Sequence, residues 1–336
     1  MKKKMRDSRF EIIRILSMIL IVLCHMSVNG NWKNNVGINH FKTMFFHPWG
    51  EIGVYLFVMI TGYFISMRHT DLKQQIKVVK PLWIKTIFYS WIILILYIIF
   101  RFQPMSLKLI ITAIFPISLN EYWFMTAFII LMLFLEPINY LINKVSKKEL
   151  LIYIIILVFF ADVLPIIKWN AVLLGGPWGV GVLISAYFIA AYIHKYNVRL
   201  KSLYCLGIFL CGISLEYIGM FLSKNSNIWR FNFGIFPLVS SVGIFLFILN
   251  LKPFYNRQIN FIASGVLASY LITEHPLFRY YFWRKLINIG KYQFHFNKLV
   301  LFGIVYSLII VIVCSLIDHV YALGAYKVTN LISKRK

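Results

Sequence analysis

The chain has 336 residues, 60% of them hydrophobic and only 14% charged. An ordinary soluble domain carries about 25% charge, so a soluble globular protein is excluded. The formal charge of +24 would suit a nucleic-acid binder, but the basic residues sit in short segments between apolar runs of membrane-spanning length. That pattern points to lipid as the surroundings and leaves nucleic acid out.

The first predicted span, 12–28, follows a basic start at Lys2, Lys3, Lys4, Arg6 and Arg9 and carries Arg14 and His25. These two interrupt the apolar run and no small-residue cleavage site follows, so a retained helix is expected, not a signal peptide. Eleven helical steps return to within roughly 20° of the starting face and rise about 16 Å. One face therefore presents a guanidinium near one membrane surface and an imidazole toward the other. Ionisable groups at such depth are costly, and they mark either function or a side chain that snorkels or satisfies a neighbour.

The second span, 50–67, opens with Glu51, placed either to cap its helix or to orient His25. It also contains Gly53, Thr61 and Gly62, small residues that let helices approach. Arg68, Lys73, Lys77 and Lys80 follow it, and Lys85 enters the third span, 82–100. These charges fix topology or, with Arg14, clamp the phosphates of a donor. Segment 107–119 reads as a loop or as an outer-side re-entrant or interfacial helix. Glu121, Tyr122 and Trp123 open the span 122–142, as an aromatic belt or as a carbohydrate contact in which rings stack on sugar faces and the carboxylate takes a hydroxyl hydrogen bond.

Further spans are expected at 149–165, 177–194, 202–220, 232–250, 259–275 and 298–318. Lys224, Trp229 and Arg230 lie between two of them, and Lys334, Arg335 and Lys336 close the chain. Late in the sequence, SYLITEHPLFRYYFWRKL gathers Thr273, Glu274, His275, Arg279, Tyr281 and Trp283, with Pro276 as a helix breaker. Lys and Arg weigh toward one set of loops, so the expected fold is an all-α polytopic membrane protein of about ten transmembrane helices with both termini cytoplasmic. Residues 1–336 form one membrane domain.

Cys24, Cys205, Cys211 and Cys314 lack metal-ligand spacing and read as packing residues. The eight histidines show no HExxH, and there is no phosphate-binding GxxxxGK[ST] loop, no GxGxxG fingerprint and no GxSxG elbow. Metal, nucleotide hydrolysis and a serine acyl-enzyme are therefore unsupported, and base-assisted direct transfer is the chemistry that a histidine suits.

Taken in order, these segments resemble the acyltransferase 3 family of integral-membrane O-acyltransferases. Arg14 and His25 match its arginine–ten-residues–histidine motif, LFVMITGYFIS at 56–66 its second span, and YWFMTAFIILMLFLEPIN at 122–139 the subgroup that modifies bacterial cell-surface polysaccharide. YLITEHPLF at 270–278 resembles its late tyrosine–leucine–isoleucine–histidine region. Two departures stand out. Lys80 and Lys85 replace a basic RxxR pair, and Thr273 stands where a histidine is common, with His275 two positions later.

The resemblance implies a multi-pass bacterial cell-membrane enzyme that moves acetyl from cytosolic acetyl-CoA to a hydroxyl of a surface polysaccharide or lipid-linked glycan. His25 would be the general base, with Glu121 joining the chemistry. Arg14, Arg68, Lys73, Lys77, Lys80 and Lys85 would meet the donor, and Glu51, Thr61, Tyr122, Trp123, Glu274 and His275 the acceptor. A transporter or flippase for a lipid-linked saccharide, or a non-enzymatic membrane subunit, is the competing reading of the same spans.

Overall fold

The computed structural model describes residues 6–33, 36–69, 71–101, 104, 106–167, 176, 178–223, 231 and 233–333. Lys2, Lys3, Lys4, Lys224, Trp229, Arg230, Lys334, Arg335 and Lys336 lie outside the described residues. Among the described residues every regular element is helical. The four cysteines are unbridged.

Helix α1 (Ser8–Asn29) starts where the Asp7 carboxylate accepts the Arg9 N–H at 3.0 Å, a cap for a donor the helix cannot satisfy itself. A short α2 (Gly37–Thr43) and a turn through His47 lead into α3 (Trp49–Ile65). Asp71 caps α4 (Leu72–Phe100), which is followed by the eight-residue α5 (Leu107–Ile114). Helices α6 (Trp123–Leu133) and α7 (Leu135–Lys144) meet at a bend of 58°. Pro137 sits in the first turn of α7, where its missing N–H costs nothing. The Gln75 amide, in its satisfied orientation, donates to Leu133 O and accepts from the Glu136 N–H, both at 2.7 Å, so α4 supplies hydrogen bonds that the bend leaves open.

A Ser146–Glu149 capping box begins α8 (Lys147–Val158), which runs through a π-helical turn (Phe159–Val163) into α9 (Leu164–Ile167). Then come α10 (Val180–Lys195), α11 (Ser202–Leu222), α12 (Ile235–Leu249), α13 (Arg257–Gly265), α14 (Leu267–Thr273) and α15 (Pro276–Tyr281). A second π-helical turn (Phe282–Ile287) and a 3-10 turn (Ile289–Tyr292) precede the final α16 (Phe296–Ser333).

The expectation of about ten spans is corrected. Among the described residues five helical stretches are long and apolar enough to cross a membrane: Ser8–Asn29, Leu72–Phe100, Lys147–Ile167, Ser202–Leu222 and Phe296–Lys327. The bent α6–α7 pair makes six if it counts as one span. Helices α3, α10 and α12 are apolar but have only 17, 16 and 15 residues, reaching roughly 23–26 Å against the ~30 Å hydrocarbon core. They are buried on most sides, and a helix that is hydrophobic all round belongs to the protein core as readily as to lipid. The apolar run at 259–275 is not one helix at all but α13 and α14. With the span count goes the alternation of loops on which the cytoplasmic placement of both termini rested. The chain remains an all-α, multi-pass membrane protein.

Helix α3 is the central strut, packed against α1, α10 and α12. Gly53 allows its approach to α1: a Cβ there would lie 2.9 Å from Ile21 Cγ1 and collide with the Ser17 carbonyl. Farther out, Lys85 Nζ on α4 lies 2.8 Å from Asp318 Oδ2 on α16, and the Tyr89 hydroxyl donates to Asp318 Oδ1 at 3.0 Å. Asp318→Ala is expected to strand the lysine charge and lower stability by about 3–5 kcal/mol. Thermal melts in detergent should show that loss, and the apolar double variant Lys85→Met/Asp318→Leu should recover most of it.

Candidate functional site

On the C-terminal half of α1, Cys24, His25 and Val28 face a cavity of about 280 Å³. The opposite walls come from segments far apart in sequence: His47 from the turn before α3, Glu51 from the start of α3, Glu121 just before α6, Trp123 at its start, and Tyr270, Glu274 and Arg279 from the α14–α15 corner. Trp178 and Phe233 complete the aromatic lining.

The corner is built by Pro276. Its ring prevents α14 from continuing, and the Glu274 N–H ends that helix on Tyr270 O at 3.1 Å. The break turns the Glu274 carboxylate into the cavity wall, where Oε1 lies 3.2 Å from His25 Nδ1, at ion-pair distance though without the alignment of a hydrogen bond. The same oxygen accepts the buried Trp283 indole N–H at 3.0 Å, and Arg279 Nη1 lies 4.0 Å from Oε2. Trp283 is delivered by the π-helical turn Phe282–Ile287, and Arg284 of that turn donates to Asn29 O at 3.4 Å. Asn29 in turn donates to His25 O at 3.1 Å, so backbone and ring of His25 are held from the same side. With Nδ1 turned to a carboxylate, Nε2 is the nitrogen left for chemistry in the cavity.

Glu51 lies four residues before Tyr55 on one face of α3. The Tyr55 hydroxyl donates to Asp162 Oδ1 at 2.5 Å, and Asp162 comes from the first π-helical turn. Both π-helical turns thus carry a buried polar group toward this end of the bundle, in keeping with the placement of such turns at functional sites.

Of the residues given a catalytic, donor or acceptor role from the sequence, His25, Glu51, Glu121, Trp123 and Glu274 meet at this one cavity. The others lie elsewhere. Arg14 is about 16 Å from His25 along α1 and bonded to Glu11, and it is not in the cavity lining. Arg68 lines a separate bowl of about 710 Å³ with His69, Asn139, Asn143 and Lys144 beside the α6–α7 bend. Lys73, Lys77 and Lys80 border a shallow depression along an exposed face of α4, and Lys85 is held by Asp318. Thr61 is ten residues along α3 from Glu51, roughly 15 Å away. The Tyr122 hydroxyl is buried and donates to Leu271 O at 2.7 Å. His275 is fully buried: its Nδ1 caps α15 by accepting the Leu277 N–H at 3.1 Å, and its Nε2 lies 3.0 Å from Ser90 Oγ.

His47 carries no sequence signal, since it belongs to no motif spacing. Arg279 and Trp283 were visible only as members of a cluster, without the contact that gives them a role. Among the described residues no group of three or more His, Cys, Asp or Glu has the arrangement to hold a metal ion.

The Acyl_transf_3 family, described as an acyltransferase domain, matches residues 7–319, which includes every residue of this cavity. No curated protein and no solved structure gives a significant match. A match over that span shows that the chain belongs to the acyltransferase 3 family of membrane acyltransferases.

Proposed function

We propose that the protein is a bacterial cell-membrane O-acyltransferase that moves acetyl from acetyl-CoA to a hydroxyl of a cell-surface polysaccharide or its lipid-linked precursor. The observation that carries this reading is the His25 ring, backed by Glu274, in a cavity walled by tryptophans and carboxylates.

In this reading His25 Nε2 accepts the proton of the acceptor hydroxyl as its oxygen attacks the thioester carbonyl carbon. Glu274, 3.2 Å from Nδ1, would close to a hydrogen bond in the reacting complex, fixing the tautomer that leaves Nε2 free and stabilising the imidazolium as it forms. Arg279 is the cation of the cavity, placed to favour the negative charge that develops on the carbonyl oxygen. The tetrahedral intermediate collapses by breaking the C–S bond, and the proton on His25 passes to the departing thiolate. The products are the acetyl ester and free coenzyme A, and no enzyme nucleophile is needed. Glu121 and Trp123 hold the acceptor ring on the wall away from Glu274.

The donor's charged end belongs at the other end of the bundle, where Arg14, Arg68, Lys73, Lys77 and Lys80 concentrate positive charge. The pantetheine arm is long enough to bridge from Arg14 to His25. Arg14→Ala is expected to raise KM for acetyl-CoA about 10-fold, the worth of one charge-assisted hydrogen bond, with a smaller effect on kcat.

The function itself is tested by incubating purified protein with labelled acetyl-CoA and a glycan extract, and by mass spectrometry of surface glycans from cells with and without the gene. Transfer of label, and loss of one acetyl increment per modified sugar, are the expected results. Unaltered glycans together with no transfer would remove the reading.

A further inference from the structure

The corner that carries Glu274 continues into a stretch charged with one sign only. Between residues 275 and 317 stand Arg279, Arg284, Lys285, Lys291 and Lys298, and no Asp or Glu. Arg284, Lys285, Lys291 and Lys298 are exposed, and none of the four forms an ion pair among the described residues. Tyr280, Leu286 and Phe294 are exposed between them. Cations interleaved with exposed aromatic and aliphatic side chains suit the headgroup level of a bilayer. The segment leads directly into α16, whose membrane-crossing stretch begins at Phe296.

Arg284 ties this basic face to the reaction cavity. Its Nε donates to Asn29 O at 3.4 Å, at the end of the helix that carries His25. Its guanidinium carbon lies 4.6 Å from the centre of the Tyr280 ring, and that of the cavity-lining Arg279 lies 5.2 Å from the same ring. The two guanidinium groups are thus neighbours, one in the cavity wall and one on the exposed rim. Arg279 stands 4.0 Å from Glu274, whereas Nη1 and Nη2 of Arg284 make no hydrogen bond among the described residues. A guanidinium fork with free N–H donors matches the oxygens of a phosphate two at a time. The cavity of about 280 Å³, with Trp123 in its lining, has room for one sugar ring. A ring seated there and joined through its anomeric oxygen to a phosphate would hold that phosphate close by, at the rim.

Building on the acyl-transfer reading, we infer that the acceptor sugar enters while joined through phosphate to a lipid carrier, and that Arg284 on the cavity rim binds that phosphate. The carrier's chain stays in the bilayer beside the exposed apolar side chains, the phosphate sits at headgroup level on Arg284, and the ring reaches in toward His25. The acetylated product is still carrier-bound, so the reaction that consumes it is one that transfers the sugar off its phosphate.

The test uses purified full-length protein in neutral detergent, labelled acetyl-CoA and one lipid-linked glycan extract, half of it treated with mild acid to cleave the sugar–phosphate bond. The two halves then share the same sugars and differ in the phosphate and its chain. The intact form is expected to be used at least about 10-fold better in kcat/KM, the worth of one charge-assisted hydrogen bond. Arg284→Gln should cut that preference by about 10-fold, and Arg284→Lys, which keeps the charge but not the fork, should fall between the two. Any loss from the missing Asn29 hydrogen bond falls on both acceptors alike and leaves the ratio unmoved. Equal use of both halves by the unaltered protein would overturn the inference, as would an unchanged ratio in a folded Arg284→Gln protein. Loss of the preference on adding phosphatidylglycerol at the acceptor's concentration would also overturn it, because the rim would then be a contact for any anionic lipid. Failure is separable from that of the underlying reading: label reaching only the released glycan or isolated surface polysaccharide sinks the carrier alone, whereas no transfer to any acceptor sinks acyl transfer.

Discussion

His25→Ala is expected to lower acetyl transfer by about 100- to 10,000-fold, the range typical of removing a positioned general base. The protein should stay folded, because the imidazole lines a cavity and makes no hydrogen bond within the structure that another element depends on. Glu274 keeps its Trp283 donor when the ring is removed, and Asn29 still bonds the backbone carbonyl at position 25. The loss should fall on kcat with little change in KM for acetyl-CoA, since donor recognition is assigned to the basic end of the bundle. Label transfer under saturating donor, with a thermal melt as the folding control, measures this. The space left by the ring offers a second readout: free imidazole should restore part of the rate. Normal turnover by a folded His25→Ala protein would sink the assignment of the base.

The pattern that led to His25 was legible because a helix has a fixed period. Two ionisable residues eleven apart in an apolar run must share a face, whatever the remainder of the chain does. Glu51 and the pair Glu121 and Trp123 are placed near helix starts by the onset of the apolar runs. Helix length was less legible. Hydropathy reports where apolar residues are, and α3, α10 and α12 are apolar because they are surrounded by protein. The segment 259–275 reads as one apolar run, yet its backbone is broken between α13 and α14.

Adjacent residues at the Pro276 corner show the limit most sharply. Glu274 and His275 both read as contacts for an acceptor, but the turn sends Glu274 to the cavity and commits both His275 nitrogens to α15 and Ser90. Which of two neighbours faces inward depends on the rotation of a helix break, and sequence spacing across a break carries no phase. Lys85 and His47 follow the same principle. One is taken by Asp318 from a helix more than two hundred residues later, and the other reaches the cavity from a turn.

Glu274→Gln is the second large effect expected, a loss of about 100-fold or more in kcat if the carboxylate orients His25 as the acid does in other carboxylate–histidine pairs. The substitution keeps a side-chain oxygen to accept the Trp283 N–H, so the fold should survive. Glu274→Ala adds a structural cost, because the buried indole N–H then has no acceptor, and about 1–3 kcal/mol of stability should go with it. A merely structural role for Glu274 shares the destabilised alanine variant but predicts a fully active glutamine variant. The decisive measurement is the double variant. Residues that act as a unit are strongly non-additive, so adding Glu274→Gln to His25→Ala should cost almost nothing beyond His25→Ala alone. A full additional 100-fold in the double variant would mean that Glu274 acts on the substrates directly, and the carboxylate would then have to be reassigned from the imidazole to the acceptor.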